Sequence, residues 1–220
     1  VAFSLEYKFV MPEENVTLLA KFVSKINYGT VPTYNSKTNT IAYGLYPQTH
    51  VNDDVLWSEL DKLETTTING WYFYDGSYYT KEVAKPYGTY QFNDGTEILS
   101  GGRTYWFKCE PIEWRILSET NGEYYLISKV LLDAHCYYHG YNDRTIYGKT
   151  ISPDNYEHSD IRAWLNNEFY KTAFTLDNDN ILTTHVDNTN PTDLGYVCKC
   201  CNDTYDKVFL LSYQDYENFD

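Results

Sequence analysis

Two glycine-containing dipeptides constrain the fold of this chain more than any other feature. Asp75-Gly76 lies between two aromatic clusters within residues 71–79, and Asn121-Gly122 immediately precedes the β-prone run at residues 124–128. Dipeptides of this kind are preferred in two-residue hairpin turns, because both central residues of those turns adopt a positive φ. The sequence therefore predicts a mainly antiparallel β structure.

Further strands are predicted around these turns. Tyr105, Phe107 and Cys109 alternate with polar residues, and residues 112–118 form a second β-prone run. Together with residues 124–128 they predict a β meander. Later strands are predicted at residues 181–185 and 207–212, whereas residues 81–99 and 129–154 are predicted as loops.

Two short helices complete the prediction. Asn52 or Asp53 is expected to cap the first helix, and Ser159 the second. Because the strands and helices do not alternate regularly, we predict an α+β fold. The apolar residues expected to face the core are Val55, Leu56, Leu60 and Leu63 in the first helix, and Ile161, Trp164, Leu165 and Phe169 in the second.

The composition is rich in tyrosine and acidic residues. The chain of 220 residues contains 24 tyrosines and has a formal net charge of −14, from 31 acidic and 17 basic residues. Such a chain repels phosphate backbones and anionic membrane surfaces, so we expect no nucleic-acid partner. No window is apolar over the roughly 20 residues that a membrane-spanning helix needs, so we expect no membrane insertion by this segment.

The residue patterns contain no recognisable catalytic constellation. Glu110 and Glu113 are three residues apart on a predicted strand and therefore point to opposite faces, so they cannot flank one glycosidic bond. We expect Glu113 to pair with Arg115 or Arg162. Phosphate-binding glycine loops and common hydrolase motifs are absent from the sequence as well, and we expect no cofactor.

The five cysteines leave two alternatives open. An odd number of cysteines cannot all pair within one chain, so disulfides such as Cys136–Cys198 or Cys109–Cys200 and reduced thiols are both compatible with the sequence. The groups at residues 198–201 and 135–139 contain zinc-ligand residue types, but neither has the spacing of a zinc finger. Disulfides or reduced thiols are therefore preferred over a zinc site.

Asp177, Asp179 and Asp187 are the candidate metal ligands. Their carboxylates are of the kind that calcium prefers. The run beginning at Asp177 departs from the EF-hand pattern, because Leu182 and Asn188 occupy the positions of the required glycine and glutamate. An irregular calcium site and a plain polar turn are the two alternatives, and the turn is preferred.

Five tyrosines are the candidate ligand-contacting residues. Tyrosine combines a large apolar face with a polar tip at low entropic cost, which suits recognition surfaces. The alternative is that these tyrosines cover the edge of the core. The candidates are Tyr78, Tyr79, Tyr137, Tyr138 and Tyr141.

The N-terminal 23 residues resemble part of a bacterial surface repeat. Residues 4–10 and 16–22 alternate around a turn at residues 11–15, which predicts a hairpin. The run from Tyr7 to Phe22 is similar to the closing hairpin of the internalin-type B-repeat, also called the Listeria–Bacteroides repeat. The resemblance implies that residues 1–23 end a β-grasp-like surface repeat and that the polar residues 24–40 form a linker.

Residues 41–220 resemble the bacterial domain of unknown function 6273. The motifs that carry the resemblance are residues 44–49, 110–117, 159–166, 169–174, 186–188 and 206–212. The resemblance implies a C-type-lectin-like or formylglycine-generating-enzyme-like fold. The tryptophan-rich segment and closing strand that usually end the family do not occur before Asp220, so we expect the domain to be incomplete at its C-terminus.

Three functional hypotheses follow from these resemblances. The preferred one is a non-catalytic binding or adhesion module of a bacterial cell-surface or secreted protein, with a glycan or protein ligand. The second is an enzyme on a formylglycine-generating-enzyme-like scaffold, which would need the cysteines at residues 198–201. The third is a passive structural spacer.

Overall fold

The computed structural model describes residues 31–64, 68–84, 91–92, 94–99, 102–174, 180–188 and 201–219. These residues form β-strands and short helices, and the predicted α+β class is confirmed. The strands are β1 Thr33–Asn35, β2 Thr40–His50, β3 Tyr72–Tyr74, β4 Ser77–Val83, β5 Thr104–Thr120, β6 Glu123–Ser128, β7 Arg144–Ile146, β8 Lys149–Ile151, β9 Thr184–Val186 and β10 Thr204–Asp206. The helices are α1 Asp54–Leu60, α2 Asp160–Trp164, α3 Tyr170–Ala173 and α4 Tyr213–Phe219, and a π-helical turn at Leu165–Phe169 joins α2 to α3.

The long strand β5 organises the main antiparallel sheet. Strand β2 pairs along one edge of β5, and β1 pairs with β2. The other edge is shared, because β4 pairs with the first part of β5 and β6 with the last part. Strand β3 pairs with β4 and completes this six-stranded sheet. Two separate two-stranded sheets, the β7–β8 hairpin and the antiparallel pair β9–β10, lie outside it.

Both predicted hairpin turns are confirmed. Asp75 and Gly76 have φ values of 42° and 76°, and Asn121 and Gly122 have values of 54° and 83°. Two successive residues with positive φ define the type I′ turn, whose twist matches that of the flanking strands. These turns fix the registers of β3 with β4 and of β5 with β6.

The main core lies between the sheet and the helices that follow Ser159. Ser159 is the predicted N-cap of α2, and its hydroxyl accepts a hydrogen bond from the Arg162 backbone amide. Apolar side chains of α2, the π-helical turn and α3 pack against those of β2 and β5. The buried members are Ile41, Tyr43, Tyr46, Ile112, Tyr156, Ile161, Leu165, Phe169, Ala173, Phe174 and Val186.

A second core lies under helix α1. Asp53 caps this helix as predicted, accepting hydrogen bonds from the backbone amides of Val55 and Leu56. Leu60 is fully buried against Trp106, but Val55, which the sequence places in the same apolar stripe, is 75% exposed. The stripe that contacts the core is therefore narrower than predicted.

Five local predictions are wrong. Residues 105–118 form one strand instead of two, and the predicted loop at residues 81–99 begins inside β4. The predicted loop at residues 129–154 contains the β7–β8 hairpin, and residues 33–35, inside the predicted linker, form β1. No strand forms at residues 207–212, because the Lys207 backbone amide and the Val208 carbonyl bond to the Asn166 side chain, and the nearest strand is β10.

Several predictions fall outside the described residues. The hairpin at residues 1–23, residues 24–30 of the linker, Asp177, Asp179, Cys198 and Cys200 are among them. Within the described part of the chain, no helix is both long enough and apolar enough to cross a membrane.

Candidate functional site

The most exposed large apolar side chains of the described residues lie in one connecting segment. Leu131 is 99% exposed, and Tyr141 and Tyr147 are each 97% exposed. Loops held by a rigid scaffold commonly carry binding residues, and these three side chains lie within 17 residues of one such connection. We therefore take residues 130–151, named the tyrosine segment below, as the candidate functional site.

The start of helix α2 fixes the middle of the tyrosine segment. The carbonyl oxygen of Tyr137 accepts hydrogen bonds from the backbone amides of Asp160 and Ile161, at 2.9 and 3.2 Å. In the opposite direction, the His139 backbone amide donates to Asp160 Oδ2 at 2.8 Å, and His139 Nδ1 lies 2.5 Å from the same oxygen. These contacts use amide groups that a helix N-terminus otherwise leaves without partners.

The carboxylate of Asp160 is stabilised in its ionised form. The hydrogen bond from the His139 side chain is the main cause that lowers the pKa of Asp160, and the His139 backbone amide and the nearby positive charge of Arg144 act in the same direction. A negative charge in the first turn of a helix also interacts favourably with the helix dipole. The contact between the tyrosine segment and α2 therefore has an electrostatic component.

Arg144 attaches the β7–β8 hairpin to the same region. Its guanidinium carbon lies 3.8 Å from the centre of the Tyr138 ring, which is a cation–π contact. Its Nη2 atom donates a hydrogen bond to the backbone carbonyl of His158. The half-buried Tyr138 is thus a support for Arg144, and its ring also lies 4.9 Å from that of His139.

Two further contacts fix the beginning of the tyrosine segment on the core. The buried phenol of Tyr46 donates a hydrogen bond to Asp133, and burial, followed by this bond, raises the pKa of Tyr46. The imidazole of His135 stacks on Trp164 of α2, with ring centres 4.9 Å apart and planes inclined by 8°. The exposed side chains of the segment are therefore carried by an anchored backbone.

The predicted contact tyrosines fall into three groups. Tyr141 is fully accessible, and Tyr137 is 38% exposed while its hydroxyl donates to the Asp154 carbonyl. Tyr138 is half-buried beneath Arg144. Tyr78 and Tyr79 lie apart from these, in β4, where Tyr79 is buried against Trp106 and fills a core position.

The described residues contain no group of three or more metal-ligating side chains that could hold an ion. Asp187 directly follows β9 and is half-buried. The other two calcium candidates, Asp177 and Asp179, lie outside the described residues. Cys109, Cys136 and Cys201 are free thiols. Of these, Cys109 is buried, and this burial raises its pKa.

The ionisable groups weighed for catalysis have separate partners. Glu110 accepts a hydrogen bond from the Thr49 hydroxyl at 2.5 Å, whereas Glu113 forms an ion pair with Lys129. The expected pairing of Glu113 with Arg115 or Arg162 is wrong, because Arg162 binds Asp206 instead. Four of the described histidines pair with a carboxylate. In none of these four pairs is the partner a serine hydroxyl or a cysteine thiol. These pairs are His50–Asp94, His139–Asp160, His158–Glu157 and His185–Asp203.

The sequence prediction missed Tyr147. This residue occupies the first position of the turn between β7 and β8, and it is as exposed as Tyr141. The signal for it was the alternation of threonine and isoleucine on both sides of Tyr147-Gly148. The hairpin was not predicted because tyrosine is not among the residues that mark a type I′ turn.

Comparison with known proteins identifies one related family. Residues 121–219 match the family model described as "Domain of unknown function (DUF6273)". The match contains the whole tyrosine segment, α2 and α3, and it supports the resemblance inferred from the motifs in this part of the chain. No curated protein and no solved structure shows a significant match.

Proposed function

We propose that this chain is a non-catalytic binding module, and that it contacts its ligand through the tyrosine segment. The observation that carries the proposal is the coincidence of two properties in one segment. Its backbone is held by several contacts to helix α2 and the core. The side chains of Leu131, Tyr141 and Tyr147, in contrast, are almost fully exposed to solvent. A rigid backbone carrying accessible aromatic rings loses little conformational entropy on binding.

The setting we propose for this activity is the bacterial cell surface or the extracellular space, in adhesion. The support is the similarity of residues 1–23 to a bacterial surface repeat and of the following residues to a family found beside such repeats. A C-type-lectin-like fold remains part of the proposal, because the observed α+β class is compatible with it. The ligand classes proposed are glycans and proteins, both of which bind exposed tyrosine rings.

A binding screen with matched variants tests the proposal. The full chain is applied to an arrayed glycan library and to immobilised fibronectin, fibrinogen, laminin and collagen. We expect at least one probe to bind, and we expect Tyr141→Ala to weaken that binding about tenfold or more, as truncation of a central aromatic contact does. The control is Tyr205→Ala, which removes a 68% exposed tyrosine from β10 and should leave binding unchanged.

Two outcomes would contradict the proposal. One is the absence of binding to every probe by the folded wild-type chain. The other is equal loss of binding in the Tyr141→Ala and Tyr205→Ala variants, because that result would assign no special role to the tyrosine segment.

A further inference from the structure

Three hairpins of this protein are closed by turns of the same geometry. Two-residue loops join β3 to β4, β5 to β6 and β7 to β8, as the flanking pairs Tyr74–Ser77, Thr120–Glu123 and Ile146–Lys149 show. The first residue of each turn has a φ of 42°, 54° or 49°, and the following glycine has a φ of 76°, 83° or 75°. All three turns therefore have the positive φ pair of type I′.

Only one of the three turns has a bulky residue at its first position. Two turns use Asp75 and Asn121, whose short polar side chains tolerate the left-handed conformation, but the third uses Tyr147. The other described non-glycine residues with positive φ are Asn39 and Asn69, so Tyr147 is the single bulky one. A bulky residue in this region is strained.

Burial does not compensate for the strain at Tyr147. The side chain is 97% exposed, and a Cβ atom built on the neighbouring Gly148 would meet nothing within 4 Å. The tip of the hairpin therefore stands clear of the rest of the described protein. Strained residues persist mainly where they serve a function, and the accessible ring is the feature that an asparagine at this position would lack.

We infer that the β7–β8 hairpin is a docking finger whose Tyr147 ring enters an apolar socket on a partner protein. The inference rests on the proposed binding function and deepens it by naming the partner class. A single ring at the tip of a hairpin is a convex element, and its complement is a concave pocket of the kind that protein surfaces provide. Tyrosines that fill such pockets dominate the binding energy of many interfaces.

The base of the finger is fixed before any partner arrives. Ile151 is buried, and Arg144 is held by the His158 carbonyl and the Tyr138 ring. Because Arg144 and Ile151 are the directly paired residues at the open end of the hairpin, both strands are attached at the same level. A preformed finger avoids the entropic cost of ordering the hairpin on binding.

The charge of the finger indicates what lines the socket. Residues 144–151 contain two basic and no acidic side chains, in a chain of net charge −14. Arg144 is engaged at the base, but the Lys149 side chain next to the tip is exposed and makes no ion pair with any described residue. Exposed charges more than about 8 Å away are largely screened at physiological salt. The electrostatic interaction of the finger with a partner therefore depends mainly on its own positive charge. The socket therefore holds a carboxylate within reach of Lys149.

Variants at the tip test the inference with the same immobilised fibronectin, fibrinogen, laminin and collagen. Tyr147→Asn creates the same Asn-Gly turn that already closes the β5–β6 hairpin, so it should fold normally. We expect it to raise the melting temperature by about 2–4 °C, because the strain is relieved. We also expect it to weaken binding about tenfold or more. Tyr147→Phe keeps the ring and should retain most of the binding, and Lys149→Glu should weaken binding several-fold through the charge reversal.

The outcomes separate this inference from the function on which it rests. If Tyr141→Ala weakens binding but Tyr147→Asn leaves it unchanged, the inference that the β7–β8 hairpin docks through Tyr147 is overturned, while the proposed function stands. Failure of the wild-type chain to bind any protein or glycan overturns both. Binding to glycans alone overturns the partner class, and an unchanged melting temperature in Tyr147→Asn overturns the claim of strain.

Discussion

The guanidinium of Arg162 lies 2.8 Å from the carboxylate of Asp206, whose side chain is only 3% exposed. The Nε atom of Arg162 also donates to both carboxylate oxygens, at 3.0 and 2.9 Å, and its Nη1 atom donates to the Glu157 carbonyl at 2.8 Å. The hydrogen bond to Asp206 is the main cause that raises the pKa of Arg162. This pair joins the first turn of α2 to strand β10. The same turn forms hydrogen bonds with the tyrosine segment.

Removal of the Asp206 charge should destabilise the fold. Asp206→Asn leaves the guanidinium without its buried counter-charge, and breaking a buried pair in this way costs roughly 3 kcal/mol. Urea unfolding at neutral pH measures the loss. Glu59→Gln is the matched control, because Glu59 forms an exposed pair with Lys62 and such pairs contribute at most about 1 kcal/mol. Equal losses in the two variants would contradict the role of the Arg162–Asp206 pair.

A methyl group at Gly44 should also destabilise the protein. Gly44 has a φ of +81°, and a Cβ atom there would lie 2.6 Å from the Phe174 ring, in the main core. Strain and overpacking together predict a loss of roughly 2–4 kcal/mol for Gly44→Ala. Gly122 is a close match, with a φ of +83° and open space where its Cβ atom would lie, so Gly122→Ala should lose only about 1–2 kcal/mol. Denaturant unfolding of both variants isolates the steric contribution, and equal losses would contradict it.

The contact between His139 and Asp160 should depend on pH. The pKa of Asp160 is lower in the folded protein than its ordinary value of 3.8, mainly through the His139 hydrogen bond. The unfolded chain therefore binds the proton first as the pH falls. The stabilisation from this carboxylate is fully present well above pH 3.8 and is lost as the pH falls through the lowered pKa.

Unfolding measurements between about pH 7 and about pH 2.5 check this dependence. The difference in stability between the wild type and Asp160→Asn should be largest near neutral pH and should shrink in the acid range. A difference that stays constant down to the most acidic point, or that grows, would contradict the assignment of this carboxylate.

The elements with local signals were predictable from the sequence. Asp75-Gly76 and Asn121-Gly122 gave both hairpins, and Asp53 and Ser159 gave both helix caps. In each case a short-range preference of the backbone decides the structure. The apolar stripes of the two helices were also predicted, and of their members Leu60, Ile161, Leu165 and Phe169 are buried.

The continuity of β5 was not predictable, because it depends on residues distant in sequence. The two predicted strands leave out Pro111, but this residue lies within β5, where β4 has ended and β6 has not yet begun to pair. On the other edge, the side-chain amide of Gln48 donates to the carbonyls of Glu110 and Pro111, at 2.8 and 3.3 Å. Tertiary contacts thus carry the strand past the proline.

The candidate site was predictable only in part. Tyr137, Tyr138 and Tyr141 were proposed together with Tyr79, because all of them were assigned to loop-like segments. Tyr79 is buried in the structure, and no local sequence pattern shows which tyrosines of such segments become buried. The anchors also escaped prediction, because Asp160, Trp164 and Tyr46 contact the segment from elements that the sequence separates from it.

The most direct test of the account is hydroxyl-radical footprinting of each tyrosine by mass spectrometry. The wild-type chain is oxidised alone and in complex with the probe that it binds in the screen. The account predicts that Tyr141 and Tyr147 are protected in the complex, while Tyr205 and Tyr124, which are 68% and 50% exposed, react as in the free chain. Protection of Tyr205 or Tyr124 with Tyr141 and Tyr147 unchanged would contradict the assignment of the tyrosine segment as the binding surface.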